Sequence, residues 1–120
     1  MDNILNLRFV ANTAELREKG LMYSEPLEDN ETVLFVFPYS DRHAFWNKNV
    51  NYKLSLAFLD DNCRIIDFAD MEADSPKRVA PRSEARYVIE AKHGVWERLG
   101  VKTGDLINYK NNSLEIKFIR

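Results

Sequence analysis

Short runs of apolar residues, some alternating with polar ones, recur along the chain and predict about seven or eight β-strands. Residues 32–38 are apolar at both alternating positions, which predicts a strand that is buried on both faces and ends at Pro38. A strand is also predicted over 52–59, with Tyr52, Leu54, Leu56 and Phe58 on one face. Further strands are predicted over 4–10, 44–49, 63–68, 85–91, 106–109 and 114–119.

Two short helices are predicted between these strands. The first begins after Asn12, which is a suitable N-cap, with Glu15 three residues later completing a capping box. It ends at Gly20, because glycine adopts the left-handed conformation common after a helix. The second covers 95–99 and is closed by Gly100.

Turns and loops are predicted where polar residues and prolines cluster. Asn111 and Asn112 lie between two apolar runs and predict a tight hairpin, since asparagine tolerates a positive φ. Residues 70–83 have no periodicity and contain two prolines. We expect 70–83 to be exposed and to be the most mobile interior segment.

These elements together predict a mainly β fold, either an antiparallel β-sandwich or a small barrel-like domain, with two short helices. A parallel sheet is not expected, because no long helix separates the strands. A chain of 120 residues is predicted to form one domain, residues 1–120, since half that length buries too little surface.

Composition narrows the functional classes. Lys and Arg number 17 against 19 Asp and Glu, a net charge of −2, which argues against nucleic acid as a partner. The single cysteine and two histidines give no disulfide, no recognisable metal site and no indication of a cofactor. Without a leader-like N-terminus or a run of about 20 apolar residues, the chain is expected to be cytoplasmic and not bound to a membrane.

The aromatic and basic block 45–49 is the first candidate site. In the predicted strand 44–49, Trp46 and Lys48 share one face, while Phe45, Asn47 and Asn49 share the other. An indole next to an ammonium and amide groups suits a planar or sugar-like ligand, held by stacking and hydrogen bonds. The alternative interpretation places Trp46 in the core and pairs Lys48 with a surface carboxylate.

Glu90 lies in the middle of the predicted strand 85–91 and needs a partner if it is buried. Lys48 and Arg17 are the candidate partners, and we expect Lys48 and Glu90 to pair directly or through one water. Such a pair is either an acid/base couple or a structural ion pair. Arg17 is also a candidate anion ligand, or it complements the dipole at the end of its helix.

Two other features have weaker functional readings. Cys63 follows a turn without a supporting histidine motif, so we expect a free, non-catalytic thiol. In the loop, acidic residues are followed by the basic group Lys77, Arg78, Arg82 and Arg86. That group suits an acidic partner or an anionic ligand. The alternative is an exposed loop whose acidic and basic side chains only neutralise each other.

An ordered set of motifs resembles a known family. The motifs are KGLM (19–22), LFVFP (34–38), FWNKN (45–49), LD (59–60), YVIE (87–90) and LGVKTGD (99–105). Together they are similar to domain of unknown function 192, over about residues 4 to 110. The resemblance implies a β-rich, sandwich-like domain with small helices and no established activity. The chain departs from the family pattern at Asn47, Val50, 53–55 and 92–94, and Ser55 replaces a usual Asp.

The sequence therefore leaves three functional hypotheses. The first is a binding module for an unknown small molecule or protein partner, with its site around Trp46, Lys48, Asn49, Glu90 and Arg17. The alternative is a small hydrolase or lyase that uses Lys48 and Glu90 in acid/base roles. A third rests on 99–105, which resembles a turn in some swapped-hairpin transcription regulators, but the acidic balance argues against DNA.

Overall fold

A computed structural model describes residues 3–119, which form a seven-stranded sheet curled into a half-barrel, with two short helices. The predicted mainly β fold class is confirmed. The strands are β1 (Ile4–Ala11), β2 (Glu31–Asp41), β3 (Leu54–Leu59), β4 (Ile65–Met71), β5 (Ala85–Lys92), β6 (Leu106–Lys110) and β7 (Ser113–Lys117). The helices are α1 (Ala14–Lys19) and α2 (Val95–Leu99).

The sheet has the strand order β4-β3-β5-β2-β1-β7-β6. Every neighbouring pair is antiparallel except β1 and β2, which are parallel. A parallel pair needs a crossover connection, and here α1 and the loop after it provide one. The sheet is therefore mainly antiparallel, as predicted, but it contains one parallel pair that was not expected.

Backbone hydrogen bonds join the two edges of the sheet. The Ile65 amide at the start of β4 donates to the Asp105 carbonyl, 2.8 Å away, and the Gly104 amide donates to the Ile65 carbonyl, also at 2.8 Å. The Ile107 amide donates to the Cys63 carbonyl at 3.0 Å. These bonds draw β4 and β6 together and close one corner of the curl, which leaves less of each edge unpaired.

Two apolar clusters lie on opposite faces of the sheet. All six residues of β3 are buried, because this strand has a cluster on each side. One cluster joins the strands to α2 and includes Leu5, Ile89, Trp96, Ile107 and Leu114. The other lies beneath the chain that follows α1 and the segment before β3, and includes Leu21, Val33, Phe35, Phe45, Leu56 and Phe58.

The predicted strand over 44–49 is wrong. Phe45 forms one isolated bridge with Val79, and a turn follows at Lys48 and Asn49. The positive φ of Asn49, 62°, interrupts the extended conformation that a strand requires. Asn47 supports this irregular segment through its side chain, which hydrogen-bonds to backbone carbonyls elsewhere.

Several element boundaries differ from the predictions. The strands predicted over 52–59, 63–68 and 114–119 are Leu54–Leu59, Ile65–Met71 and Ser113–Lys117 in the structure. Thr13 caps α1 in place of Asn12, and its hydroxyl accepts a hydrogen bond from the Leu16 amide. Pro38 does not end β2: pairing with β5 breaks after Val36 and resumes at Asp41, so the missing N–H of Pro38 costs no ladder bond. The ends of both helices at glycine are confirmed, as is the Asn-Asn hairpin between β6 and β7.

The segment after β4 is more anchored than predicted. Met71 belongs to β4 and is buried, and Pro81 is also buried. Val79 is half-buried and bonded to Phe45 through both backbone groups, at 2.7 and 2.8 Å. The predicted exposure of 70–83 is therefore wrong at Met71 and Pro81, while the mobility of the segment stays a prediction.

Candidate functional site

A cavity of about 360 Å³ lies between α1 with its following turn, the segment before β3, and the sheet. Its walls combine aromatic rings with a few polar groups from distant parts of the chain, as in ligand pockets generally. The side chains that matter below are those of Arg17, Trp46, Asn47, Arg78 and Glu90.

Alternation along β5 places Glu90 on the same face as Val88, within the second apolar cluster. Its strand neighbours are Val33 on β2 and Leu56 on β3, both apolar. Glu90 is only 4% exposed, and no described residue bonds to its Oε1 atom. Burial raises the pKa of Glu90 to about 8, so its carboxyl group is mostly protonated at neutral pH.

Asn47 is the second buried polar group of the cavity, at 1% exposure. Its Nδ2 atom donates to the carbonyls of Tyr52 and Glu72, at 2.8 and 2.9 Å. Both hydrogens of the Asn47 amide are therefore used in hydrogen bonds. The orientation of the amide is fixed, because the reversed orientation would place Oδ1 next to the two carbonyl oxygens. The Oδ1 atom has no partner among residues 3–119.

Arg17 reaches the cavity from α1. Its Nη1 atom donates to the Val36 carbonyl at 2.9 Å, and its Cζ atom lies 5.2 Å from the centroid of the Phe37 ring. These contacts hold a half-buried guanidinium at the cavity wall, and among residues 3–119 no acceptor bonds to the other N–H groups of its fork.

Trp46 lines the cavity and is also partly exposed, with two cations against its ring. The Cζ atom of Arg78 lies 4.4 Å from the ring centroid, and the Nζ atom of Lys48 lies 5.3 Å from it. Both distances fall within the range of cation–π attraction. The interpretation of Trp46 as a core residue does not hold, because about a third of it is exposed.

The structure brings three of the five predicted site residues together. Arg17, Trp46 and Glu90 line one cavity, whereas Lys48 and Asn49 lie in the exposed turn that follows Asn47. No hydrogen bond or ion pair within the described chain joins Lys48 to Glu90, so the predicted direct pair is not formed. Lys48 instead contacts Trp46, although not as a neighbour on a strand.

Sequence reasoning missed two residues of this cavity. Asn47 lies within the candidate block 45–49 but was not chosen as a site residue, and its burial depends on an irregular backbone that no periodicity reveals. Arg78 belongs to the basic second half of the loop, which was predicted to suit an anion or an acidic partner. That charge contrast is the sequence signal for Arg78, but it did not connect the loop with the block 45–49.

The cysteine and the possible metal ligands of the described residues do not form a second candidate site. Cys63 is a free, half-buried thiol, and burial, followed by the nearby Asp60 charge, raises its pKa. Within residues 3–119 no three His, Cys, Asp or Glu side chains come together as a metal-binding group. Neither helix in that range has the length and apolar character needed to cross a membrane.

Comparison with known sequences identifies relatives over most of the chain. The family model for domain of unknown function 192, described as "Uncharacterized ACR", matches residues 6–109. A UPF0127 protein of Pyrococcus horikoshii is 28% identical over 106 residues, covering 83% of this chain and 84% of that protein. One of Thermococcus gammatolerans is 30% identical over 118 residues, covering 90% of this chain and 72% of that protein.

Solved structures share the fold. A Sinorhizobium meliloti protein, provisionally described as a transcription regulator, superposes with a TM-score of 0.80 at 24% identity, over 94% of this chain and 81% of that one. A Novosphingobium aromaticivorans protein of unknown function superposes with a TM-score of 0.78 at 22% identity. The match covers 97% of this chain and 82% of that one. At this level of identity the likeness shows the fold alone.

Proposed function

This chain belongs to the domain of unknown function 192 family, and we propose that it is a binding module for a small polar molecule, held in the cavity between α1, the segment before β3, and the sheet. One observation carries the proposal. Two buried oxygen atoms without protein partners, Glu90 Oε1 and Asn47 Oδ1, belong to side chains that line the same cavity.

Unsatisfied polar atoms are costly inside a protein. Each one destabilises the folded state by about 1–3 kcal/mol, which is why nearly all buried polar atoms are paired. A ligand that donates hydrogen bonds to these two oxygens recovers this cost on binding. The volume of about 360 Å³ is within the range of small-molecule pockets, and Trp46 adds an aromatic surface at the opening.

The alternative function, a small hydrolase or lyase, has less support. It requires Lys48 and Glu90 to exchange a proton with one substrate, and therefore to face the same space. Glu90 is buried in the cavity wall, whereas Lys48 is exposed on a turn and contacts the Trp46 ring. Binding needs only the groups that the cavity already brings together.

A thermal-shift screen tests the proposed function. The library contains sugars, polyols, carboxylic acids, amines, amino acids and nucleosides, since a ligand specific for the folded state raises the melting temperature. We expect at least one class to stabilise the wild type and the control Tyr109→Ala, which removes an exposed aromatic side chain on β6. Stabilisation should be lost in Trp46→Ala.

Two results would overturn the proposal. One is a screen in which no compound class stabilises the wild type. The other is a compound that stabilises Trp46→Ala and Glu90→Gln as much as the wild type, because such a compound binds outside the cavity.

A further inference from the structure

The two buried polar residues of the cavity lining, Asn47 and Glu90, each carry an oxygen atom that lacks a donor among residues 3–119. Both hydrogens of the Asn47 amide are committed to backbone carbonyls, so its Oδ1 atom can only accept. Glu90 Oε1 is a second oxygen without a donor. When Glu90 is ionised it only accepts, so a ligand group that satisfies both oxygens must then donate at least two hydrogens. An ammonium group donates three and carries the charge that a carboxylate attracts.

The more exposed part of the same lining carries cations, since Arg17 is half-buried and Arg78 is exposed. Arg17 keeps part of its guanidinium fork available, and Arg78 is an exposed cation over the Trp46 ring. Arginine suits carboxylate and phosphate groups because its N–H donors form a planar fork. The lining therefore combines buried acceptors, on Glu90 and Asn47, with more exposed cations, on Arg17 and Arg78.

From this combination we infer that the ligand is a small zwitterion resembling an amino acid, with its ammonium group between Glu90 and Asn47 and its anionic group against Arg17 and Arg78. The inference rests on the proposed function and adds the chemical class of the ligand. A cavity of about 360 Å³ accommodates a molecule of that size.

Binding of an ammonium group is coupled to a proton. The neutral carboxyl of Glu90 must lose its O–H hydrogen to become the carboxylate that pairs with the ligand, and that hydrogen leaves to solvent as one proton. The sheet neighbours of Glu90 are apolar. The charged or titratable groups around it are Arg17, Glu18 and Lys19 from α1, Arg78 from the loop, and Tyr52 before β3.

The sign of the pH dependence follows from this proton release. Below the raised pKa of Glu90, about 8, the affinity for an ammonium ligand should rise by up to about tenfold per pH unit. Above that pH it should level off. A neutral ligand that only hydrogen-bonds to Glu90 gives no such rise.

Calorimetric titration tests the inference with defined probes. The probes are the common L-amino acids, their deaminated carboxylic acids and their carboxamides, each measured from about pH 6 to pH 8 in two buffers of different ionisation enthalpy. We expect an amino acid to bind with release of about one proton near neutral pH. Its deaminated analogue should bind at least about tenfold more weakly.

Two variants test separately the binding of the ammonium group and the binding of the anionic group of the ligand. Glu90→Gln should abolish the proton release and the pH dependence, whereas the exposed control Glu84→Gln should keep both. If Glu90→Gln fails to fold, Arg78→Gln provides the second measurement. It should weaken the binding of the amino acid but leave the carboxamide almost unchanged.

The outcomes distinguish this inference from the proposed function. If sugars or simple carboxylic acids bind in the cavity and no zwitterion does, the inference is wrong and the binding function stands. Equal affinity for an amino acid and its deaminated analogue also overturns the inference. If no compound binds in the cavity, both fail.

Discussion

The guanidinium of Arg78 lies 4.4 Å from the centroid of the Trp46 ring and joins the loop after β4 to the segment before β3. It covers one of the two tryptophans of the chain; the other, Trp96, is buried. We expect Arg78→Gln to increase acrylamide quenching of the fluorescence, because Trp46 becomes more accessible. The free energy of unfolding should change by no more than about 1 kcal/mol, as for other exposed cation–π contacts.

Arg64→Gln is the matched control, since Arg64 is an exposed arginine before β4 that forms no cation–π contact with another described residue. It should leave the quenching unchanged. Equal quenching of the wild type and Arg78→Gln would show that Arg78 does not cover Trp46 in solution.

Glu90 should make the unliganded protein less stable as the pH rises. Its folded pKa, about 8, lies above the usual 4.5, so between these values the unfolded chain releases a proton that the folded chain keeps. Unfolding is therefore favoured progressively by up to about 1.4 kcal/mol per pH unit in that window. Urea unfolding of the wild type and Glu90→Gln measures the difference.

The wild type and Glu90→Gln should be closest in their free energies of unfolding near pH 5. As the pH rises to about 8, Glu90→Gln should become more stable relative to the wild type. Glu84→Gln, with an exposed side chain, should follow the wild type. A constant difference between the wild type and Glu90→Gln across the range would mean that Glu90 ionises normally.

Arg8 should contribute more to stability than an ordinary surface cation. Its Nε and Nη2 atoms donate to Glu31 at 3.0 and 2.7 Å, and further bonds reach the carbonyls of Glu25 and Pro26. Both partners of the ion pair are about three-quarters buried. We expect Arg8→Lys to lower the free energy of unfolding by about 1–3 kcal/mol, since lysine cannot reproduce the fork.

Lys53→Met provides the comparison, because Lys53 pairs with Glu72 at 3.5 Å on an exposed surface. It should cost about 0.5 kcal/mol or less. The hydrogen bond from Arg8 lowers the pKa of Glu31, so the Arg8 contribution should be present above about pH 4.5 and decline as the pH falls. Similar losses in the two variants would contradict this prediction.

The Cys63 thiol should be unreactive at neutral pH. Burial, followed by the charge of Asp60, raises its pKa, and the thiolate is the reactive form. We expect the native protein to react with a disulfide reagent more slowly than glutathione, and the urea-unfolded protein to react faster than the native one. Cys63→Ala should retain ligand binding. A fast reaction of the native thiol would show that Cys63 is activated.

Local sequence pattern was sufficient to predict the elements that depend on the conformational preferences and spacing of their own residues. The alternation of Leu54, Leu56 and Phe58 predicts the face that β3 turns towards one cluster. Asn111 and Asn112 predict their hairpin because both adopt a positive φ, 49° and 61°. Neither prediction depends on a distant partner.

The predictions failed where contacts between residues distant in sequence determine the backbone conformation or the strand pairing. The segment 44–49 has strand-like composition, but the turn at Lys48 and Asn49 ends its alternation, so the expected position of Lys48 relative to Glu90 was lost with it. The parallel pairing of β1 with β2 likewise depends on how α1 crosses the sheet, which periodicity does not encode. Glu90 and Arg17 were identified by residue type, whereas their cavity required the tertiary structure.

The position of β1 between β2 and β7 has a consequence for biosynthesis. Ile4 pairs with Glu115 and Leu5 with Leu114, so β1 lacks its antiparallel neighbour until β7 has emerged from the ribosome. Pairing across such a sequence separation closes a long loop, and topologies of this kind fold slowly. The nascent chain therefore exposes the β7-facing edge of β1 while the residues between β1 and β7 are synthesised, and unpaired strand edges of this kind are prone to aggregation.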